Sequence, residues 1–265
     1  MESTIKELIK RNQSKLQFGF TKNVDYRACS ILRETAVNYN SMKGNTTMIL
    51  AVDVSNAFSR TQRESQLYEL WRSGCRYGVF LYCMGQYRNT YTVIRNGSEY
   101  SPLILELQGS KQGGKLSAGD FVVYNSSWSR CIEEAEIGLK VEGHFCGAFV
   151  CADDSLSCTT SIAELIAVSY IYDFFKNECD VEFAFAKTIL NVFNNDKVKK
   201  ILQEENLFTL GGHKPLFEEA SLHLGIMMSE KLDEVPRLNM ERHPCNSTSE
   251  HSSSSIPADM LAYHY

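Results

Sequence analysis

Two aspartates stand side by side at Asp153 and Asp154, inside the stretch Gly147-Ala148-Phe149-Val150-Cys151-Ala152-Asp153-Asp154-Ser155-Leu156-Ser157-Cys158. A short apolar run feeds the pair and small residues lead away, a pattern that predicts a β-hairpin with the carboxylates at its tip. Adjacent like charges repel. A solvated turn tolerates them, and a divalent cation would neutralise them. Hard cations such as Mg²⁺ take oxygen ligands and keep waters and substrate phosphates in the same shell. Turns also favour Asp for backbone reasons alone, so any chemistry rests on what else the chain supplies.

It supplies several further groups. Met48-Ile49-Leu50-Ala51-Val52 is a continuous apolar run of strand length that ends in Asp53. A buried strand fixes a carboxylate at its exit; a helix N-cap is the alternative role. Phe58 follows in Asp53-Val54-Ser55-Asn56-Ala57-Phe58, where core packing is the plain explanation. Leu107-Gln108-Gly109-Ser110-Lys111-Gln112-Gly113-Gly114-Lys115 is dense in glycine, holds two lysines and precedes a helix carrying Leu116, Phe121, Tyr124, Trp128 and Ile132. Bare backbone admits a substrate closely, and a helix N-terminus favours anions. The alternative is a flexible connection. The GxxxxGK[ST] order is absent, which excludes a Walker-type nucleotide site.

The elements that must position these groups follow from periodicity and punctuation. Capping-box spacing occurs at Thr4–Glu7, Thr61–Glu64 and Ser161–Glu164, each ahead of apolar residues at helical spacing. A second helix is expected over 24–40 and an apolar one over 77–87, with Gly74 stopping the helix before it. Asn96-Gly97 predicts a type I′ hairpin between strands at 90–95 and 98–105. Strands are expected at 181–185, 189–193 and 222–226. Residues 194–216 read as polar, with a turn at Gly211-Gly212. The Ser-rich end, with Ser252 to Ser255 in a row, predicts disorder. His243, Cys245 and His251 lie there, and a zinc site among them is the weaker reading.

Composition narrows the class. The 265 residues are 43% hydrophobic and 22% charged, as in a globular protein with one or two domains. No apolar stretch approaches the roughly 20 residues of a membrane span, and the polar N-terminus is no signal peptide. These imply an intracellular protein, nuclear or cytoplasmic, with no membrane partner. Nine cysteines without a CxxC pair argue against a disulfide framework or a zinc site. The net charge of −5 hides an asymmetry: residues 1–115 hold 16 Lys and Arg against 9 Asp and Glu, and the remainder holds 11 against 23. A basic half suits phosphate binding, and a solvated charged face is the alternative.

Taken together, these motifs resemble the palm of a reverse transcriptase, most like those of non-LTR retrotransposons. AVDVSNAF resembles the first catalytic motif, GSKQGGKLSAGDF the Gln-Gly motif before a helix, and CADD the Ala-Asp-Asp box, with Cys151 where an aromatic is usual. FAKTILNVF resembles the lysine motif, LHLG the primer-grip motif, and QFGF at Gln17–Phe20 part of the fingers. The match runs from about residue 16 to 228. The resemblance implies an α+β fold, an antiparallel sheet packed on helices: partial fingers over 1–47, a palm over 48–228, and a disordered tail over 229–265.

The resemblance also implies roles. Asp53 and Asp153, with Asp154 beside them, would hold two Mg²⁺ ions, Mn²⁺ substituting, at the roughly 3.5–4 Å separation of two-metal sites. Phe58 would meet the incoming sugar and exclude a 2′-hydroxyl. Gln112 and Gly113 would line the template–nucleotide pocket, Lys187 would act on the leaving pyrophosphate, and Leu224 and Gly225 would hold the primer end. The partners would be an RNA template with a DNA primer and deoxynucleoside triphosphates. Ala184 stands where the family carries Asn, and Ala118 where Pro is usual. The upstream fingers, a thumb and an endonuclease are expected to be absent, making the chain alone a poor polymerase. The competing reading is a catalytically silent retroelement remnant that binds nucleic acid or a protein. A nucleotide cyclase also uses paired carboxylates, but the Gln-Gly loop and Ala-Asp-Asp box in this order count against it.

Overall fold

The computed structural model describes residues 2–21, 24, 26–55, 57–110, 114, 116–205, 207–218, 220–223, 226–229 and 263–264. Gln112, Gly113, Leu224, Gly225 and the Ser-rich stretch with its His243, Cys245 and His251 lie outside these residues. The chain opens with helices α1 (Glu2–Asn12) and α2 (Tyr26–Met42), then strand β1 (Thr47–Val52). Helices α3 (Ala57–Arg60), α4 (Arg63–Arg72) and α5 (Tyr77–Tyr87) lead into the short strands β2 (Tyr91–Val93), β3 (Arg95–Asn96), β4 (Glu99–Tyr100) and β5 (Ile104–Leu105). Helix α6 (Ser117–Glu134) follows, then β6 (Lys140–Val141), β7 (His144–Phe145), β8 (Ala148–Cys151) and β9 (Asp154–Thr159). The last third holds α7 (Ile162–Cys179), a 3₁₀ turn (Phe185–Lys187), β10 (Ile189–Phe193), α8 (Asp196–Glu204), β11 (Leu216–Phe217), β12 (Ala220–His223) and β13 (Ile226–Ser229).

The main sheet has the order β11-β10-β1-β9-β8. All its pairings are antiparallel except β11 on β10. This is the mixed architecture of antiparallel sheet and helices expected from the sequence. The unbroken apolar character of β1 has a direct cause: both faces of the sheet are covered. Met48, Leu50 and Val52 point into a core built with Phe121, Trp128, Leu165 and Tyr172 of α6 and α7. Ile49 points the other way, into a second core with Cys29, Ala36 and Val37 of α2. Strand alternation therefore places apolar side chains on both faces. An aromatic column runs through the first core: Trp128 stacks on Tyr172 at 5.2 Å, Tyr172 meets Phe183 edge-on at 4.9 Å, and Phe183 stacks on Phe185 at 5.5 Å. Each such pair adds about 0.5–1.5 kcal/mol beyond its buried area.

Polar knots hold the helices to one another. Arg130 of α6 pairs with Glu69 of α4 at 2.7 Å and donates to the carbonyl of Asn12 at 2.8 Å. Arg63, at the start of α4 and 7% exposed, ties both ends of the 87–109 segment together. Its Nε donates to the Gly109 carbonyl at 2.9 Å. Its Nη1 donates to the carbonyls of Tyr87 and Glu106 and to Thr90 Oγ1, and its Nη2 to the Glu106 carboxylate at 3.0 Å. Only a guanidinium carries five donors in this fork. The eight cysteines among the described residues are free thiols, and no helix there is long and apolar enough to cross a membrane.

Several expectations need correction. The Asn96-Gly97 turn sits one residue later: Asn96 pairs with Glu99, so the loop is Gly97-Ser98. Gly97 has φ +63°, and glycine at the first central position marks a type II′ turn. At the start of α4 the hydroxyl of Thr61 donates to the Ala57 carbonyl, and Gln62 precedes the helix without a side-chain cap. Helix α1 already begins at Glu2, so Thr4 lies inside it. Ser161 does cap α7, accepting from the Glu164 amide at 3.2 Å, but Glu164 returns its carboxylate to Thr160. The polar 194–216 stretch contains α8, capped by Asn195 through the Val198 amide. The last strand is two, β12 paired antiparallel with β13. Residues 181–184 form no strand: Phe183 bridges Val54, flanked by backbone bonds from the Ser55 amide to Glu182 and from the Ala184 amide to Asp53.

One buried group costs stability at neutral pH. Asp120, in the first turn of α6 and 3% exposed, accepts from the Tyr87 hydroxyl at 2.9 Å, while its other oxygen has no partner among the described residues. Burial pushes its pKa up to about 6, against a smaller lowering by the Tyr87 hydrogen bond. The folded state therefore keeps a proton that the unfolded chain loses near pH 4. This group's contribution to stability falls as pH rises from about 4 to 6 and stays low above, a difference on the order of 3 kcal/mol. Asp120→Asn should flatten the urea-unfolding profile across that window and raise stability at pH 7 by about 1–3 kcal/mol. A loss of stability at pH 7 in that variant would show that the ionised carboxylate is accommodated.

Candidate active site

The carboxylates are positioned by strand register. The β1–β9 pairing runs as far as Val52 opposite Ser155. Asp53 follows Val52 and Asp154 precedes Ser155, so both carboxylates leave the same end of the paired strands. The hairpin between β8 and β9 pairs Cys151 with Asp154, leaving Ala152-Asp153 as its two-residue turn. Asp153 is thus the tip, and Asp154 is the first residue of the strand. Below them the Ser155 hydroxyl donates to the Val52 carbonyl at 2.6 Å and lies 3.3 Å from the Tyr172 hydroxyl. This buried link joins β9, β1 and α7 immediately beneath the acidic corner.

The three carboxylates share one electrostatic field. Burial raises the pKa of Asp154 to about 6, with Asp153 and then Asp53 adding to it. Asp53 is raised by burial and by Asp153, and lowered by Lys187 and by a hydrogen bond from the Val54 amide. Lys187 ends the 3₁₀ turn, which the Asp53 carbonyl anchors by accepting from the Ala184 amide at 2.8 Å. The sheet therefore brings Asp53, Asp153, Asp154 and Lys187 to one corner. Among the described residues, no group of three or more His, Cys, Asp or Glu side chains is disposed to hold a metal ion as it stands. The donor set is nonetheless all-oxygen and crowded with like charge. That suits a cation such as Mg²⁺, which takes one or two carboxylates and completes its shell with phosphates and water.

Phe58 lies on the short helix α3, half-buried, stacked on Phe121 at 4.4 Å and edge-on to Phe20 at 6.1 Å. It is part of the core wall and also faces outward. The loop leading to Gln112 packs on the same helix: the Ser110 amide donates to the Phe58 carbonyl at 2.7 Å, and the Gly109 amide to Thr61 at 2.8 Å. Gly109 has φ +90°, and a Cβ there would come within 2.9 Å of the Ser59 carbonyl.

The sequence reading missed the residues that clamp the hairpin turn. Ala152 has φ +59°, a left-handed conformation that costs a non-glycine residue about 1–2 kcal/mol. It is held from two sides. Gln17, 3% exposed, accepts from the Ala152 amide at 3.0 Å and donates back to its carbonyl at 3.4 Å. Asn125 of α6 donates to the same carbonyl at 2.5 Å. Residues 16–18 run beside β8 as an extra edge, with the Phe18 amide on the Val150 carbonyl at 2.7 Å. Gly19 passes so close that a Cβ would sit 2.2 Å from the Ala152 nitrogen. The sequence held a faint signal: an amide side chain two residues before a glycine, and Asn125 within an otherwise core-facing part of α6.

No protein-family model matches the sequence, and no curated protein sequence is similar to it. Solved structures do share its fold. Apo telomerase from Candida tropicalis, truncated from its C-terminal domain, superposes with a TM-score of 0.60 at 11% identity, over 86% of this chain and 43% of that one. Telomerase from Candida albicans, in complex with a fragment of telomeric RNA, gives 0.55 at 11% identity, over 86% and 37%. The fold is therefore one shared with these telomerases, and the chain spans less than half the length of these neighbours.

The clamp has a measurable consequence. Gln17→Leu leaves the part-buried Ala152 amide and the buried Gly19 amide without their acceptor, a loss of about 1–3 kcal/mol. Urea unfolding should show that decrease, and hydrogen exchange at Ala152 should accelerate more than exchange at Leu50 in the central strand. Equal acceleration at both sites would mean that Gln17 supports the fold generally and does not hold the turn.

Proposed function

We propose that the chain is the palm and partial fingers of a retroelement RNA-directed DNA polymerase, acting by metal-assisted nucleotidyl transfer. The observation that carries this reading is the convergence of Asp53 and Asp154 across a β1–β9 register, with Asp153 at the turn and Lys187 beside Asp53. The fold shared with telomerases supports it, as does the RNA in one of those neighbours. Asp53, Asp153 and Asp154 would hold Mg²⁺, which when bound would neutralise phosphate charge and activate the attacking primer hydroxyl. Lys187 would stabilise charge on the departing pyrophosphate. Phe58 would contact the sugar, Gln112 and Gly113 the templating pair, and Leu224 and Gly225 the primer end. Cradling by these groups supplies positioning, the main protein contribution to phosphoryl transfer.

A second reading is favoured by one observation: the acidic corner is not a ready-made metal cage among the described residues. On that reading the chain is a silent remnant that keeps the fold and binds nucleic acid or a protein. The two separate in a primer-extension assay on an RNA template with Mg²⁺ or Mn²⁺. The polymerase reading expects extension at low salt that weakens steeply as salt rises, because duplex affinity rests on phosphate contacts. Asp153→Asn should lower synthesis by at least about a thousandfold, as should chelation of the metal. No synthesis at low salt, with Mn²⁺ still bound, would establish the silent remnant.

A second outcome concerns sugar choice. Phe58→Ala should raise ribonucleotide incorporation relative to deoxyribonucleotide, read as the ratio of kcat/KM values. An unchanged ratio, with lowered thermal stability from the lost Phe121 stack, would assign Phe58 to the core alone.

A further inference from the structure

Helix α5 is apolar and carries no charged residue, yet much of it faces solvent. Tyr77 is 89% exposed, Leu81 59% and Tyr82 43%, while Cys83 and Tyr87 turn inward. Gly78 and Gly85 lie on the outer side, and a Cβ at either would meet nothing within 4 Å. Among the described residues no packing requires these glycines, although glycine weakens a helix. They leave bare backbone between exposed aromatic rings. Tyr77 is also held at φ +51°, a conformation rarely given to a bulky residue.

The charges at both ends of this face are positive. Arg76 lies 3.8 Å over the Trp71 ring at one end. Arg88 follows the other end and is exposed, and beyond it Arg95 lies 5.7 Å over the Tyr100 ring. Exposed aromatic rings give bases a stacking platform, and arginines attract the phosphates between them. At 3.6 residues per turn, Tyr77 and Tyr82 stand about 140° apart around the helix axis, one on each flank of the exposed face. Tyr82 and Gln86 line a cavity of about 190 Å³ together with Gly114 and with Ser117 at the start of α6.

We propose that the outer face of α5 is a track for single-stranded RNA, the template strand ahead of the reacting pair, with Tyr77 and Tyr82 as stacking platforms. The proposal rests on the polymerase reading for the identity of that strand, but its test does not. Fluorescence anisotropy with a labelled, unstructured oligouridine of about 20 nucleotides measures the affinity of the full chain directly. Tyr77→Ala and Tyr82→Ala remove exposed rings, so thermal melting should stay within a degree or two of the parent. Each should weaken RNA binding about five- to tenfold, and the double variant more. RNA carrying 5-iodouridine should crosslink to one of these tyrosines.

Unchanged affinity in a folded double variant would overturn the track. So would self-association of the parent, seen by light scattering, that the double variant loses while RNA affinity stays constant; that outcome would make the face a protein interface. Primer extension is read separately. Tyrosine-dependent RNA affinity in a chain that shows no synthesis upholds the track and removes the polymerase reading. Synthesis with tyrosine-independent affinity does the reverse.

Discussion

The pairing of β1 with β9 is the constraint on which the acidic corner depends. A strand's side chains alternate between faces, so a slip of one residue would turn Asp53 away from Asp154 and drive Ile49 and Leu50 into the wrong cores. The register is secured from both sides at once. Leu50 and Val52 fit only the α6–α7 core, and Ile49 only the α2 core. The Ser155 hydroxyl on the Val52 carbonyl adds a polar lock inside the apolar layer. Packing that stabilises the fold thereby also fixes where the carboxylates emerge.

That arrangement places electrostatic cost at a turn clamped from two sides. Three carboxylates at one corner repel each other, and burial of Asp154 adds to the penalty. The surrounding structure offsets it by tying the hairpin down: Gln17 and Asn125 hold the strained Ala152, and residues 16–18 cover the open edge of β8. The same cover removes an exposed strand edge that would otherwise pair with another chain. A second rigid region is the Arg63 knot, which fixes the root of the 87–109 segment and, through Gly109 and Ser110, the approach to the Gln112 loop.

Much of the central architecture was legible in the sequence because it depends on apolar runs and local punctuation. The Met48–Val52 run, the helix over 77–87, the Gly74 stop and the Ser161 cap each correspond to an observed feature. What escaped were features decided by distant partners. Gln17 and Asn125 are polar side chains whose role appears only when residues 135 and 27 positions away meet them. Helix α8 was hidden because a short, mostly polar amphipathic helix resembles a loop in composition. The hairpin at Gly97 was displaced by one residue because Asn-Gly and Gly-Ser satisfy two different turn types with the same glycine.

The strand order also dictates when the sheet can exist. The central strand β1 is made early, yet its neighbours on both sides, β9 and β10, come from the second half of the chain. During synthesis at roughly 5–20 residues per second, Met48–Val52 must wait on the order of ten seconds before Phe193 has emerged. The first partner, β9, follows about a hundred residues after β1, and until it arrives a run of strong strand-forming residues lacks both its strand neighbours. Pairings of such wide sequence separation are slow to form, and the interval leaves the strand open to association with other chains. Among the strands of the main sheet, β1 therefore waits longest for its partners as the chain is made.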